Sequence, residues 1–160
     1  MKQIILSILT ILFFSTTSCV KNEKKETKKM NTKVNLSEKK EIQVQLEPKN
    51  ESGAIGKLRF NESNGIVKLE AKFKNLSPGM HAIHLHEKAD CSAADGSSAG
   101  GHWNPTFKKH GKWGDAEHHK GDIGNFTAKS DGTATVEFST DQWCIGCDDE
   151  NKNIVGKGLI

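Results

Sequence analysis

The chain has 160 residues, of which 34% are hydrophobic and 27% charged, which suits one globular domain able to bury a core. Its formal charge of +3 is unevenly distributed: residues 20–40 carry eight Lys against three Glu, whereas residues 41–160 carry 14 Lys and Arg against 17 Asp and Glu. The basic segment lacks aromatic residues, so we predict a solvated, flexible tether over residues 20–40. Nothing else in the chain suggests a nucleic-acid partner.

Residues 1–19 have the features of a secretory signal peptide. Lys2 precedes an apolar run over residues 4–14, which is too short to span a bilayer as a stable helix. The small residues before Cys19 resemble the lipobox of bacterial lipoproteins, although Thr16 stands where that motif usually has Leu. We therefore predict an exported protein of the periplasm or cell envelope, anchored to the membrane by a lipid on Cys19. Ordinary cleavage nearby is the alternative.

Three cysteines follow the predicted signal, and an oxidising compartment would favour disulfides among them. An odd count implies an unpaired thiol, an intermolecular bond or a partner missing from the sequence. The spacing of Cys144 and Cys147 fits a local disulfide, while half of a metal clip and a thioredoxin-type redox pair are the alternatives. The redox pair would need a helix N-terminus, and none is predicted there. Cys91 is the third candidate.

Short segments of alternating apolar and polar residues run through residues 41–160, and no segment shows helical periodicity over ten residues. Asn64-Gly65 and Asp131-Gly132 are hairpin signals between such segments. We predict an all-β antiparallel sandwich or barrel. Its seven expected strands are Glu41–Glu47, Gly53–Phe60, Ile66–Phe73, Met80–His86, Asp122–Ala128, Thr133–Phe138 and Ile154–Ile160.

The segment between the fourth and fifth strands, residues 87–121, has no strand or helix signal, so something other than its backbone should order it. All seven histidines lie within Met80–Asp122. On a strand His84 and His86 face the same way, which makes a pair of nitrogen ligands suited to copper or zinc. A solvated loop that binds metal loosely is the alternative. The segment also offers the donors of a closed tetrahedral zinc site: His102, His110, His119 and Asp122.

Three segments together resemble the copper/zinc superoxide dismutases, in order and at matching spacing: GMHAIHLHE, DCSAADGSSAGGHWNPTFKKHG and EHHKGDIGNFTA. The similarity covers residues 41–160 and implies a Greek-key β-barrel with a long metal-binding loop, eight-stranded in the family and with about seven strands here. The resemblance implies catalytic copper on His84, His86 and His102, and zinc on His102, His110, His119 and Asp122. It also implies that His81 orients a ligand by a hydrogen bond and that His118 lies outside the site.

The activity implied by the resemblance is conversion of superoxide to dioxygen and hydrogen peroxide by redox cycling of copper, with structural zinc and His102 as the bridging ligand. A homodimer is compatible with it. In the family the fourth copper ligand, a guiding guanidinium, the last strand and the partner of the cysteine matching Cys91 would follow Ile160. We therefore expect a truncated sequence with weak activity at best. The alternative is a non-catalytic lipoprotein that binds zinc and copper.

Overall fold

The computed structural model describes residues 40–160, so the predicted signal peptide with Cys19 lies outside the described residues, as does all but Lys40 of the predicted tether. Within this range the structure contains seven β-strands, one 3-10 turn and no helix long and apolar enough to cross a membrane. The strands are β1 (Lys40–Leu46), β2 (Ile55–Ser63), β3 (Ile66–Lys74), β4 (Gly79–His86), β5 (Asp122–Ala128), β6 (Ala134–Thr140) and β7 (Gly158–Leu159).

The first of two sheets has four strands, paired antiparallel in the order β1-β2-β3-β6. Strand β3 lies in its centre and alternates strictly between exposed and buried residues. Leu69 of this strand is 1% exposed and pairs with Phe60 on one side and Phe138 on the other. Because side chains on a strand alternate between faces, the alternating sequence produces one apolar face that is removed from water.

The second sheet has the order β5-β4-β7, and its apolar face completes the core. Ile83 and Leu85 of β4 are each 2% exposed and belong to the same buried cluster as Leu69 and Phe73. Each such side chain contributes roughly 1.5–3 kcal/mol by leaving water. The prediction of an all-β fold of antiparallel strands is therefore confirmed.

A β-bulge interrupts the pairing of β4 with β5 between Ile83 and His84. Ile83 pairs with Gly124, but the next residue, His84, pairs with Asp122, so Ile123 is the extra residue. Gly124 has a φ of 124°, a conformation that favours glycine. The bulge places Asp122 directly opposite His84.

The last strand is shorter than its alternating sequence predicts, because Ile154–Lys157 forms a turn in which the Lys157 N–H donates to the Ile154 carbonyl at 3.3 Å. Gly156 adopts a φ of 80° in this turn. Ile160 nevertheless continues the pairing, since its backbone and that of His84 exchange two hydrogen bonds of 2.8 and 3.0 Å. An apolar groove of about 440 Å³ lies alongside, lined among others by Val44, Phe126 and Leu159.

Candidate metal centre

Asp122 is the hub of a compact cluster of three histidines. Its side chain is 2% exposed, and its carboxylate lies 2.9 Å from His102 Nδ1, 3.0 Å from His110 Nδ1 and 3.5 Å from His119 Nδ1. One possible ligand atom from each of the four residues lies within 4.8 Å of the others. Three imidazole nitrogens and a carboxylate oxygen are the donor set of a four-coordinate zinc site.

The backbone around the cluster keeps the Asp122 carboxylate ionised. Asp122 Oδ2 accepts hydrogen bonds from the N–H groups of His119 at 2.8 Å and Gly111 at 3.3 Å. Burial acts to raise the pKa of Asp122, but these bonds and the one to His102 outweigh it and hold the pKa below its usual range. The carboxylate is therefore available as a negatively charged ligand at neutral pH.

One nitrogen of the cluster lacks a protein partner. His119 Nδ1 is buried and makes no hydrogen bond, because its nearest carboxylate oxygen is 3.5 Å away. Buried polar atoms are almost always hydrogen-bonded, so this atom needs another partner. A Zn²⁺ ion held by His102, His110, His119 and Asp122 would supply that partner, and the residues present fit the metal.

A tight turn provides two of the four donors. His119 and Asp122 stand at its ends, where the Asp122 N–H donates to the His119 carbonyl at 3.2 Å. Gly121 lies within the turn and hydrogen-bonds to both Leu85 and Trp103, at 2.9 Å each. A Cβ at position 121 would overlap the Leu85 carbonyl oxygen, so only glycine allows this approach.

Two further imidazoles lie beside His102. His84 and His86 project from β4, and their ring centroids lie 3.9 and 5.1 Å from that of His102. His86 Nδ1 contacts the Gly100 carbonyl oxygen at 2.8 Å, which directs the ring, and its backbone forms a bridge with His102. Imidazole is a ligand that suits copper, but the group of donor atoms that converge within 4.8 Å in the described residues includes His102 without His84 or His86.

The environment of His84 favours its neutral form. Burial, followed by the neighbouring His102, lowers the pKa of His84 to about 4. A neutral imidazole keeps a lone pair for a metal, so His84 needs no proton release to act as a ligand near neutral pH.

The two remaining histidines lie outside these groups. His81 Nε2 contacts the Ser77 carbonyl oxygen at 2.7 Å, and its ring stacks on Phe126 at 5.6 Å. Within residues 40–160 its hydrogen bonds are to Ser77, so the structure does not show the predicted bond from His81 to a metal ligand. The reason is that His81 precedes His84 by three residues on β4, so the two side chains leave opposite faces of the strand. His118 Nδ1 contacts the Asp115 carbonyl oxygen at 2.9 Å, consistent with its place outside the site.

The predicted local disulfide is present between Cys144 and Cys147, whereas Cys91 is an exposed free thiol.

The sequence analysis did not identify the residues that support the segment carrying the candidate zinc ligands. Trp143 is 1% exposed, and its Nε1–H donates to the Lys120 carbonyl oxygen at 2.8 Å. Trp113 packs edge-on against Trp143, with centroids 5.8 Å apart. Two tryptophans near a histidine-rich loop were the available signal.

The curated proteins described next, which this chain resembles, are copper/zinc superoxide dismutases and a copper chaperone for superoxide dismutase. The chain is 38% identical over 84 residues to the extracellular superoxide dismutase [Cu-Zn] of Brugia pahangi, covering 52% of this chain and 42% of that protein. It is 38% identical over 88 residues to superoxide dismutase [Cu-Zn] 2 of Mesembryanthemum crystallinum, covering 54% and 56%. The copper chaperone for superoxide dismutase of Rattus norvegicus is 33% identical over 111 residues, 68% of this chain and 38% of that protein. The matched segments thus span about half or less of these relatives.

The fold and the family comparison agree with the geometry. The crystal structure of the clock protein EA4 superposes with a TM-score of 0.64 at 28% identity, covering 75% of this chain and 72% of that one. A family model described as copper/zinc superoxide dismutase (SODC) matches residues 54–160. Copper and zinc are the metals that this family implies, and the cluster around Asp122 can hold a metal. The chain belongs to the copper/zinc superoxide dismutase family.

Proposed function

We propose that this protein is a superoxide dismutase, which converts two superoxide anions and two protons to dioxygen and hydrogen peroxide. The observation that carries the proposal is the position of His102. Its ring centroid lies within 3.9 to 5.7 Å of four other imidazoles, those of His84, His86, His110 and His119. This position supports the inference that one imidazole belongs to both candidate metal sites.

The residues divide into two ligand sets. His84, His86 and His102 would hold copper, whereas His102, His110, His119 and Asp122 would hold zinc. Copper supplies the one-electron redox chemistry when bound, and zinc has no redox chemistry. The Asp122 carboxylate already lies 2.9 Å from His102 Nδ1, so these two donor atoms are close together without a metal. Binding of zinc by both would replace the hydrogen bond between them.

Activity measurement with purified, full-length protein tests this function. After loading with copper and zinc, we expect about one ion of each per chain and metal-dependent consumption of superoxide. His84→Ala should lower that rate by more than about 100-fold through loss of copper. His118→Ala is the matched control, because His118 bonds to Asp115 and lies outside the clustered ligands. An equal loss in the control variant would contradict the assignment.

A second candidate function is metal binding without dismutation. It is favoured by the similarity to the rat copper chaperone for superoxide dismutase and by the unequal completeness of the two sites. Residues 40–160 provide four candidate donors for zinc but only three candidate imidazoles for copper. Stoichiometric zinc without copper-dependent superoxide consumption would support this candidate against the enzyme.

We further propose that the protein is exported and anchored by a lipid on Cys19. Support comes from the Cys144–Cys147 disulfide, since disulfides persist in oxidising compartments, and from the similarity to an extracellular relative. Cells given a labelled fatty acid should incorporate it into the protein and lose this label with Cys19→Ser. Label that persists in the variant would exclude this anchor.

A further inference from the structure

Trp143 links the core of the sandwich to the turn that carries two zinc ligands. It is the largest fully buried side chain in the described part of the chain. It follows β6 and packs against three aromatic rings, with centroid distances of 5.0 Å to Phe138, 5.8 Å to Trp113 and 6.3 Å to Phe60. This packing fixes the indole ring in one position.

The backbone beside Trp143 is fixed as well. The Cys144 N–H donates to the Lys152 carbonyl at 2.8 Å, and the Cys144 carbonyl accepts from the Ile154 N–H at 3.0 Å. The next residue, Ile145, donates its N–H to the Glu62 carboxylate at 2.7 Å. Trp143 is therefore held through its ring and through the backbone of its neighbours, so the position of its indole N–H is fixed.

That N–H points at the metal-ligand turn. It donates to the Lys120 carbonyl oxygen at 2.8 Å, inside the turn from His119 to Asp122. The preceding residue, Gln142, accepts a hydrogen bond of 2.6 Å from the Lys120 ammonium group. Consecutive residues thus hold both the main chain and the side chain of Lys120.

The two central residues of the turn are each held by the rest of the protein. Gly121 hydrogen-bonds to Leu85 and Trp103, and Lys120 accepts a hydrogen bond from Trp143. The Lys120 carbonyl and the Gly121 N–H belong to one peptide group, so Trp143 holds its oxygen and Trp103 holds its nitrogen. Loss of the bond from Trp143 would leave this peptide held through its nitrogen alone. A shift of the peptide would displace His119 and Asp122, because these two residues flank Lys120 and Gly121.

We propose that Trp143 is a positioning residue for the zinc site, whose indole N–H sets the orientation of His119 and Asp122 through the Lys120 carbonyl. The inference rests on the zinc ligands assigned above. It differs from a packing role, in which Trp143 would contribute only buried area and its N–H would simply be satisfied.

Two changes at position 143 separate these roles. Trp143→Phe removes the N–H and part of the ring, whereas benzothienylalanine at position 143 keeps the shape of tryptophan but replaces the N–H with sulfur. Phe138→Leu is the matched control, because Phe138 contacts the same indole and makes no hydrogen bond to the turn in the described residues. All proteins are compared at full length with the disulfide between Cys144 and Cys147 intact.

The measurements are the Zn²⁺ dissociation constant by competition with a chromophoric chelator, the visible spectrum of the Co²⁺ form, and the Tm of the metal-free protein. We expect both changes at position 143 to weaken Zn²⁺ binding about 10-fold and to alter the Co²⁺ spectrum. Phe138→Leu should lower the Tm and leave both metal readouts unchanged. Zn²⁺ affinity within twofold of the parent for the benzothienylalanine protein would overturn the inference. A parent protein without Zn²⁺ affinity would overturn the assigned ligands as well.

Discussion

The four-stranded sheet and the metal-ligand segment, residues 87–121, are held together by different physical means. In β3 each second residue is buried, and the strand hydrogen-bonds to neighbours on both sides. Residues 87–121 contain one short 3-10 turn, Ser97–Ala99, and isolated backbone hydrogen bonds in place of strand pairing, and three of their histidines converge on Asp122. The stability of the sheet should therefore depend on the volume of its buried apolar side chains. The order of the metal-ligand segment should depend on its ligands and their charges.

A cavity in the sheet should have the largest effect on stability. Leu69→Ala removes a fully buried side chain from the centre of β3, and we expect the free energy of unfolding to fall by about 2–5 kcal/mol. Chemical denaturation of the metal-free protein measures this change. Leu69→Met is the control and should cost less than about 1.5 kcal/mol. A marked loss of Zn²⁺ affinity in folded Leu69→Ala protein would show that the two regions are coupled.

Zinc should stabilise the protein through the metal-ligand segment. At a free Zn²⁺ concentration 100 times the dissociation constant, the free energy of unfolding should rise by about 2.7 kcal/mol. Asp122→Ala should abolish this increase, because every member of the cluster loses its shared partner. Glu70→Gln, an exposed change on β3, is the control and should retain it.

Hydrogen exchange locates the effect of zinc. Added Zn²⁺ should slow amide exchange mainly within residues 87–121, and the amides of β3 should respond less. Equal protection of both regions would contradict the separation described above.

The disulfide should have a smaller effect, since it closes a short loop. Replacing both Cys144 and Cys147 by Ser should lower the free energy of unfolding by about 2 kcal/mol, because the unfolded chain regains conformational freedom. Thermal unfolding of the oxidised protein measures the difference. Cys91→Ser is the control, because that thiol is free and exposed. If a thiol reductant left the Tm of the parent protein unchanged, the prediction would be contradicted.

The smallest effect should come from the turn between β5 and β6. The hydroxyl and N–H of Thr133 donate to Asp131 and hold its pKa below the usual range. A lowered pKa in the folded state stabilises the protein above the ordinary value of about 3.9, and this contribution disappears as the pH falls through the lower pKa. Asp131→Asn should therefore lower the Tm slightly at pH 7, and the difference should vanish in acid. A Tm difference between the two proteins that grows as the pH falls would contradict a lowered pKa of Asp131.

Alternation of apolar and polar residues predicted the strands of both sheets, because burial of one face is a local property of the sequence. The predicted strand Ile66–Phe73 differs from β3 by one residue. The last strand was overestimated, since the same composition suits a turn at Ile154–Lys157. Whether residues 154–157 form a strand or a turn depends on how they pair with β4. The pattern of one segment contains no information about its pairing with another.

The candidate zinc ligands could be identified because histidine is confined to one part of the sequence and its spacing is characteristic. Their support could not be identified. The bond from Trp143 to the Lys120 carbonyl joins residues 23 positions apart, and any buried tryptophan needs some acceptor. The acceptor is chosen by tertiary packing, so it becomes visible only in the folded structure.

The bulge opposite His84 also decides which face of the sheet receives the Asp122 carboxylate. Regular pairing beyond Gly124 would place Ile123 opposite His84 and Asp122 opposite Leu85, whose side chain is buried in the core. The extra residue in β5 instead puts Asp122 opposite His84, on the face of β4 that carries the histidines. The site therefore depends on a local departure from regular strand pairing, which the order of the ligands in the sequence does not record.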